Sequence, residues 1–384
     1  MGQEEATVLQ VLTASETYPE TADPPLVPQL RRFRSVLFDV RRRNRDRALP
    51  FLTGALLCQK GLAGKLLRRW LDPERKRSLR LELAIAKKKP VLVHSHSVVA
   101  GASAVRAAKR AGIPLVVSVT GSDIGRALMS EGSHQLLKRV FDAADAILVE
   151  GASSAEDLWR LGCAPRKVTT IPRPVQVEKI APRGPRGAEA RQNDPRLRML
   201  FCGPLVERQG IAFALEAVAR LARGPPGVHF RLIGTGPLRR PLSAIAKHLG
   251  IEEHVEFVGQ KRLEFFLESL AESDVLVCPS IVARDGDREG GAPPAVLLSL
   301  AAAVPVVSTK HADIPEVVQD SKTGFLAEER DVESLTVCLA RVRNDLAFAD
   351  ELGRAGRKLV EQQNDFPNVM SRLEGVYLEA LEQP

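Results

Sequence analysis

Glu289 stands in the stretch DGDREGGAPPAVLLSLAAAVPVV, Asp285 to Val307, where a charged Gly/Pro loop runs into an apolar helix and then a β-branched strand. A loop of this kind exposes the carboxylate beside the backbone N–H groups of Gly290, Gly291 and Ala292, and glycine lets the chain approach a ligand closely. A hydroxyl-rich anion fits there, with its charge at the N-terminus of the following helix. The spacing points to a sugar phosphate; the same residues also suit an ordinary strand–loop–helix crossover. Three other constellations are weaker. His94 and His96 in VHSHS fall on one side of a strand end without a third metal ligand, so they read as structural and no metal is expected. Gly234-Thr235-Gly236 follows a strand but lacks the third glycine of a dinucleotide fingerprint, and reads as a turn. Ser153 and Ser154 in EGASSA have no nearby base and form no nucleophile elbow.

The elements that must position these residues follow a strand–helix rhythm. Apolar or β-branched runs at Thr7 to Leu12, Val91 to His94, Leu115 to Ser118, Ala146 to Val149 and Val168 to Ile171 alternate with helical stretches such as Ala100 to Ala111. The segment Lys179 to Arg196 loses that periodicity and is rich in Pro, Gly and Arg, as a linker would be. The rhythm resumes at Arg198 to Cys202, Phe230 to Ile233, Val255 to Val258, Val275 to Cys278 and Val306 to Ser308. The chain is therefore expected to be α/β, with Rossmann-like units over 1–178 and 198–366, a linker over 179–197 and a last helix within 367–384. Parallel sheets bind ligands at the carboxyl ends of their strands, so the two units are expected to face one another across a cleft.

Size and composition agree. At 384 residues, 44% apolar and 27% charged, the chain exceeds the roughly 250–300 residues at which single cores stop growing. Its five cysteines are scattered and form no CxxC pair, which suits a reducing cytoplasm. The acidic start MGQEEATV does not read as a signal peptide, and the longest uncharged run, Gly290 to Thr309, contains three prolines and does not read as a membrane span. The net charge of +8 is concentrated in residues 29–48, with eight Arg against two Asp, and 65–89, with ten basic against three acidic residues. Leu66, Leu67, Trp70 and Leu71 are interleaved with that charge, as on a helix resting on the anionic inner face of a membrane; a solvated helix face is the other reading. With 4% aromatics and no binding module, nucleic acid is not an expected partner.

The Asp285–Val307 stretch resembles the donor-sugar region of the family 4 retaining glycosyltransferases, especially the branch of exopolysaccharide and colanic-acid-type assembly. SVTGSDIGR (Ser118 to Arg126), FCGPLVERQGIAFALEAVARL (Phe201 to Leu221), RLIGTGPLRRPL (Arg231 to Leu242) and HADIPEVVQDSKTGFLAEERDVESL (His311 to Leu335) follow in that family's order and spacing. The resemblance implies a GT-B fold whose terminal helix crosses back onto the first domain. It implies transfer of a sugar from a nucleotide diphosphosugar to a polysaccharide or lipid-linked acceptor, with no metal or other cofactor. It also implies a donor site at Thr120, Gly121, Asp123, Gly203, Arg208, Gly290, Gly291 and Ala292, with Glu289 at the sugar. Several polar positions depart from the family pattern. Thr120 replaces a histidine, Pro204 an arginine, Gln209 a lysine, Leu298 the ribose-binding glutamate, and Ala303 a glycine. Arg208 stands one position before the missing lysine, and Arg173, Lys261, Arg284 and Arg288 are further candidates for the lost phosphate cations. The alternative reading of these departures is a catalytically silent protein that binds or stabilises an active partner.

Overall fold

The computed structural model describes residues 6–12, 30–39, 73–184 and 192–382. Parts of the two basic runs, residues 29, 40–48 and 65–72 with Leu66, Leu67, Trp70 and Leu71, and linker residues 185–191 lie outside the described residues.

The first half contains β1 (Ala6–Leu12), β2 (Phe33–Asp39), α1 (Pro73–Lys88), β3 (Leu92–Ser95), α2 (Val98–Ala111), β4 (Leu115–Ser118), α3 (Gly121–Met129), α4 (Glu131–Ala143), β5 (Ala146–Val149), α5 (Ala152–Arg160) and β6 (Val168–Thr170). The second continues with β7 (Leu197–Cys202), α6 (Ile211–Ala222), β8 (Val228–Ile233), α7 (Arg239–His248), β9 (Val255–Gly259), α8 (Leu263–Glu272), β10 (Val275–Cys278) and α9 (Pro294–Ala301). Then come β11 (Val306–Thr309), α10 (Ile314–Val317), β12 (Gly324–Ala327), α11 (Val332–Asn344), α12 (Leu346–Gln363) and α13 (Phe366–Glu382). Two six-stranded sheets result, ordered β2-β1-β3-β4-β5-β6 and β12-β11-β10-β7-β8-β9, with every pairing within them parallel. Helices cover both faces, and the inner strands β3, β5 and β10 are buried at every residue, which explains their near-continuous apolar sequences.

Two strands escaped the periodicity. β2 lies inside the first basic run, where Phe33 is buried and Arg34 exposed; an edge strand tolerates charge that an inner strand would not, so its composition masked it. β12 is only four residues long and begins at a glycine. Local chemistry sets the helix entries. Ser97 caps α2 by accepting from the Ala100 amide at 3.2 Å, and Gly112 closes that helix in the left-handed region at φ 63°.

The last helix crosses back. Phe366, Val369, Leu373 and Tyr377 of α13 pack with Val8, Leu92, Val116 and Leu148 of the first sheet in one apolar cluster. Tyr377 is fully buried, and its hydroxyl sits 2.7 Å from His94 Nδ1 while His94 Nε2 sits 2.8 Å from Ser118 Oγ. His96 Nε2 meets Gln10 Oε1 at 2.8 Å. Burial lowers both histidines, His96 to about 4, so both are neutral at physiological pH. They serve as neutral hydrogen-bonding groups that help dock the helix.

Candidate functional site

Between the carboxyl ends of the two sheets lies a cavity of about 260 Å³. The first half lines it with Val119 to Ser122, following β4, and with Glu150 and Arg173. The second half supplies Gly203 and Pro204 after β7, then Arg208, Gln209, Arg288, Glu289 and Gly290; Leu263, Phe266, Ala295 and Leu298 form an apolar side.

Six of the sequence-derived site residues meet here: Thr120, Gly121, Gly203, Arg208, Glu289 and Gly290. A Cβ added at Gly203 would meet the Phe201 ring at 3.2 Å, a tight contact. Gly121 and Gly290 touch backbone to backbone, so closely that neither has room for a Cβ. Asp123, Gly291 and Ala292 do not line the cavity. Asp123 is buried as the partner of Thr120 in a capping box, accepting from the Thr120 hydroxyl at 3.0 Å and from Arg126 at 2.7 Å. Gly291 packs against the Glu150 side chain, and Ala292 belongs to the second half's core.

The loop differs from its sequence reading in two further ways. Glu289 is not an exposed carboxylate: its side chain is 16% exposed and accepts from Arg208 Nε at 3.0 Å and Gln209 Nε2 at 2.7 Å. The start of α9 is also a poorer anion site than the Gly/Pro sequence suggests. Pro293 and Pro294 carry no N–H, and the amides of Val296 and Leu297 already donate to the Pro293 carbonyl.

Arg208, Arg173 and Arg288 are the cations at this cavity, and each carries a carboxylate. Arg208 also binds Asp287 at 2.6 Å; burial opposes its charge, and Glu289 with Asp287 outweigh that and raise its pKa. Arg173 holds Glu150 at 2.7 Å, and Arg288 pairs with Asp157. The other two candidates do not reach the cavity. Lys261 lies over the Phe265 ring at 5.2 Å, and Arg284 is 89% exposed beside Glu207. The sequence drew attention to Gln209 as a lost cation; the structure gives it a different task, holding Glu289 from a position only 4% exposed.

Sequence reasoning missed how tightly the halves are joined. The Ser153 amide at the start of α5 donates to Asp313 Oδ1 at 2.7 Å, and the Ala152 amide donates to Glu316 Oε1 at 2.6 Å. The Ser154 hydroxyl lies 2.8 Å from Asp313 Oδ2 and bonds the Gly290 carbonyl. Burial first, and the nearby Glu316 charge as well, push the Asp313 carboxyl up to about 6 despite bonds from Ser153 and Ser154.

Two parallel α/β sheets facing across a charged cleft, with a terminal helix returning to the first, define a GT-B protein. Residues 196–345 match the family described as Glycosyl transferases group 1, and residues 23–179 match Glycosyltransferase Family 4. The chain belongs to these family 4, group 1 glycosyltransferases. A putative colanic acid biosynthesis glycosyltransferase, WcaL, is 31% identical in Salmonella typhimurium, over 54% of this chain and 52% of the relative, and 30% identical in Escherichia coli K12, over 64% and 59%. The amylovoran biosynthesis glycosyltransferase AmsK of Erwinia amylovora is 29% identical over 63% of this chain and 58% of its own. The chain thus matches little more than half the length of these relatives. Among solved structures, Anabaena HepE in complex with UDP superposes with a TM-score of 0.74 at 14% identity, covering 97% of this chain and 100% of that one. Sucrose-phosphate synthase from Thermosynechococcus elongatus gives 0.77 at 17% identity, covering 97% and 98%. Among the described residues no helix is long and apolar enough to cross a membrane.

Proposed function

We propose that this protein transfers a sugar from a nucleotide diphosphosugar to a polysaccharide or lipid-linked acceptor, with retention of configuration and without a metal. The observation that carries this reading is the convergence of Glu289, Arg208, Gln209 and Arg173 with the Thr120–Gly121 turn in one cavity between the sheets. The Glu289 carboxylate faces sugar hydroxyls, and Arg208 and Arg173 answer a departing diphosphate, the group on which charge develops. A diphosphate entering the cavity exchanges partners with Asp287, Glu289 and Glu150, so binding and rearrangement of these ion pairs are one event. The acceptor binds against the first half, and the basic segments of residues 29–48 and 65–89 draw the protein to anionic lipid at the inner face of the membrane, which suits a lipid-linked acceptor. Relatives named for colanic acid and amylovoran biosynthesis support a polysaccharide product.

Titration calorimetry with UDP, GDP and ADP tests this reading. Micromolar binding of one of them is the expected result. No binding of any at millimolar concentration overturns it and leaves the silent, partner-binding alternative.

A further inference from the structure

The Ser154 hydroxyl is 1% exposed and has two neighbours that compete for one proton: Asp313 Oδ2, at 2.8 Å, and the Gly290 carbonyl. A hydroxyl donates once. If Asp313 is ionised, both neighbours are pure acceptors and one contact has no hydrogen in it. If Asp313 carries a proton on Oδ2, it donates to Ser154 Oγ, Ser154 donates to the Gly290 carbonyl, and Asp313 Oδ1 still accepts from the Ser153 amide. The chain is then satisfied from end to end. It runs from the second half, through α5 of the first half, to the loop that carries Glu289.

We propose that Asp313 and Ser154 are positioning residues that fasten the Glu289–Gly291 loop of the second half onto α5 of the first, through a hydrogen-bond relay completed by a proton on Asp313. The assignment of Glu289 to a donor sugar rests on the function proposed above; the fastening rests on the geometry alone. The packing around the relay is equally close. Gly151 has no room for a Cβ beside Asp313, and Gly291 none beside Glu150.

The charged groups around Asp313 do not favour its ionisation. Glu316 faces it from its own helix, and His311 is engaged by Glu329 at 2.7 Å and by the Glu289 amide at 3.2 Å. Across the seam Arg288 of the second half pairs with Asp157, and within the first half Arg173 answers Glu150. Burial completes the effect and brings the Asp313 carboxyl to about 6 against an ordinary 3.8.

When the seam opens, Asp313 returns to solvent and its pKa falls back, so a proton favours the closed seam. The stabilisation is fully present below the ordinary carboxylate pKa and is lost as pH rises through about 6. Between pH 7.5 and pH 5 the closed-to-open ratio rises about tenfold.

Hydrogen exchange on the full chain tests the proposal, because first-turn amides of a helix have no acceptor within it. The Ala152 and Ser153 amides are therefore protected only by Glu316 and Asp313 across the seam. In the wild type, after correction for intrinsic exchange, protection of Ser153 and of the 285–292 peptide is expected to rise about tenfold from pH 7.5 to pH 5. Asp313→Asn mimics the protonated acid, its amide donating to Ser154 and its oxygen accepting from Ser153, so protection is expected to stay high and lose its pH dependence. Asp313→Ala is expected to release Ser153 and the loop together, while Ser154→Ala releases the loop. Circular dichroism establishes that each variant is folded, and Asp313→Asn keeps the test decisive if Asp313→Ala is not. Unprotected Ala152 and Ser153 amides in the wild type overturn the proposal, as does a pH dependence in Asp313→Asn equal to that of the wild type. These readouts use no nucleotide, so failure of every nucleotide to bind removes the proposed function without touching the relay.

Discussion

Replacing Arg208 by alanine removes one of three cations that line the cavity and isolates its role. Its guanidinium binds Asp287 at 2.6 Å and Glu289 at 3.0 Å, and the side chain is 24% exposed. A charge-assisted hydrogen bond to a phosphate contributes ~1.5–3 kcal/mol, equivalent to roughly ten- to more than hundredfold in affinity. A diphosphate must first displace the carboxylates, and partly exposed pairs of this kind are worth up to about 1 kcal/mol each after solvent screening. The net loss for Arg208→Ala should therefore fall near the lower end, about tenfold in diphosphate affinity. The parent nucleoside should bind the variant as it binds the wild type, since it carries no charge for Arg208 to meet. Parallel calorimetric titrations of wild type and variant with the nucleoside diphosphate and its nucleoside give both numbers directly. Arg208→Lys adds a control: it keeps the charge but loses the fork that holds two oxygens at once, so it should recover only part of the loss. Equal weakening of nucleoside and diphosphate would refute the reasoning and make Arg208 a support for the Glu289 loop.

Other substitutions probe separate links. Glu289→Gln should reduce sugar transfer at least about a hundredfold and, because Glu289 holds Arg208, lower stability by about 1 kcal/mol; a transfer assay with a thermal scan checks both, and undiminished turnover would exclude Glu289 from the chemistry. Ala303→Gly should raise the thermal midpoint, because Ala303 follows α9 at φ 55°, a left-handed conformation costing a non-glycine residue roughly 1–2 kcal/mol, part of which is offset by the looser unfolded chain. Tyr377→Phe should destabilise the protein by about 1–3 kcal/mol in urea unfolding, since it leaves the buried His94 Nδ1 without its partner at 2.7 Å. An unchanged midpoint would place the docking of α13 in its apolar contacts alone.

Much of the scaffold was legible because burial on both faces forces apolar runs: Leu115–Ser118, Ala146–Val149 and Val275–Cys278 form strands with the expected bounds. β2 was hidden because an edge strand needs only partial burial, which permitted the arginines around Phe33. At the site, sequence order brought Glu289, Arg208, Gly203 and Thr120 into consideration, and folding brings them into one cavity. What it could not give was partnership. Asp123 serves a helix cap, Gln209 serves Glu289, and Asp313 reaches Ser154 across 159 positions of sequence. These are facts about side-chain direction and closure of two halves, neither of which leaves a periodic trace.

The crossing of α13 has a consequence for synthesis on the ribosome. The cluster that seals one face of the first sheet takes Val8, Leu92 and Val116 from early in the chain and Val369, Leu373 and Tyr377 from some hundreds of residues later. The early strands therefore emerge with that face uncovered and keep it so while the whole second half is translated. The second sheet has no such delay: its strands and covering helices arrive in close succession, and it can close its core first. A chain truncated before Phe366 and released from the ribosome should consequently hold a folded second half beside an apolar, unsealed first sheet, and that is the state a chaperone would meet.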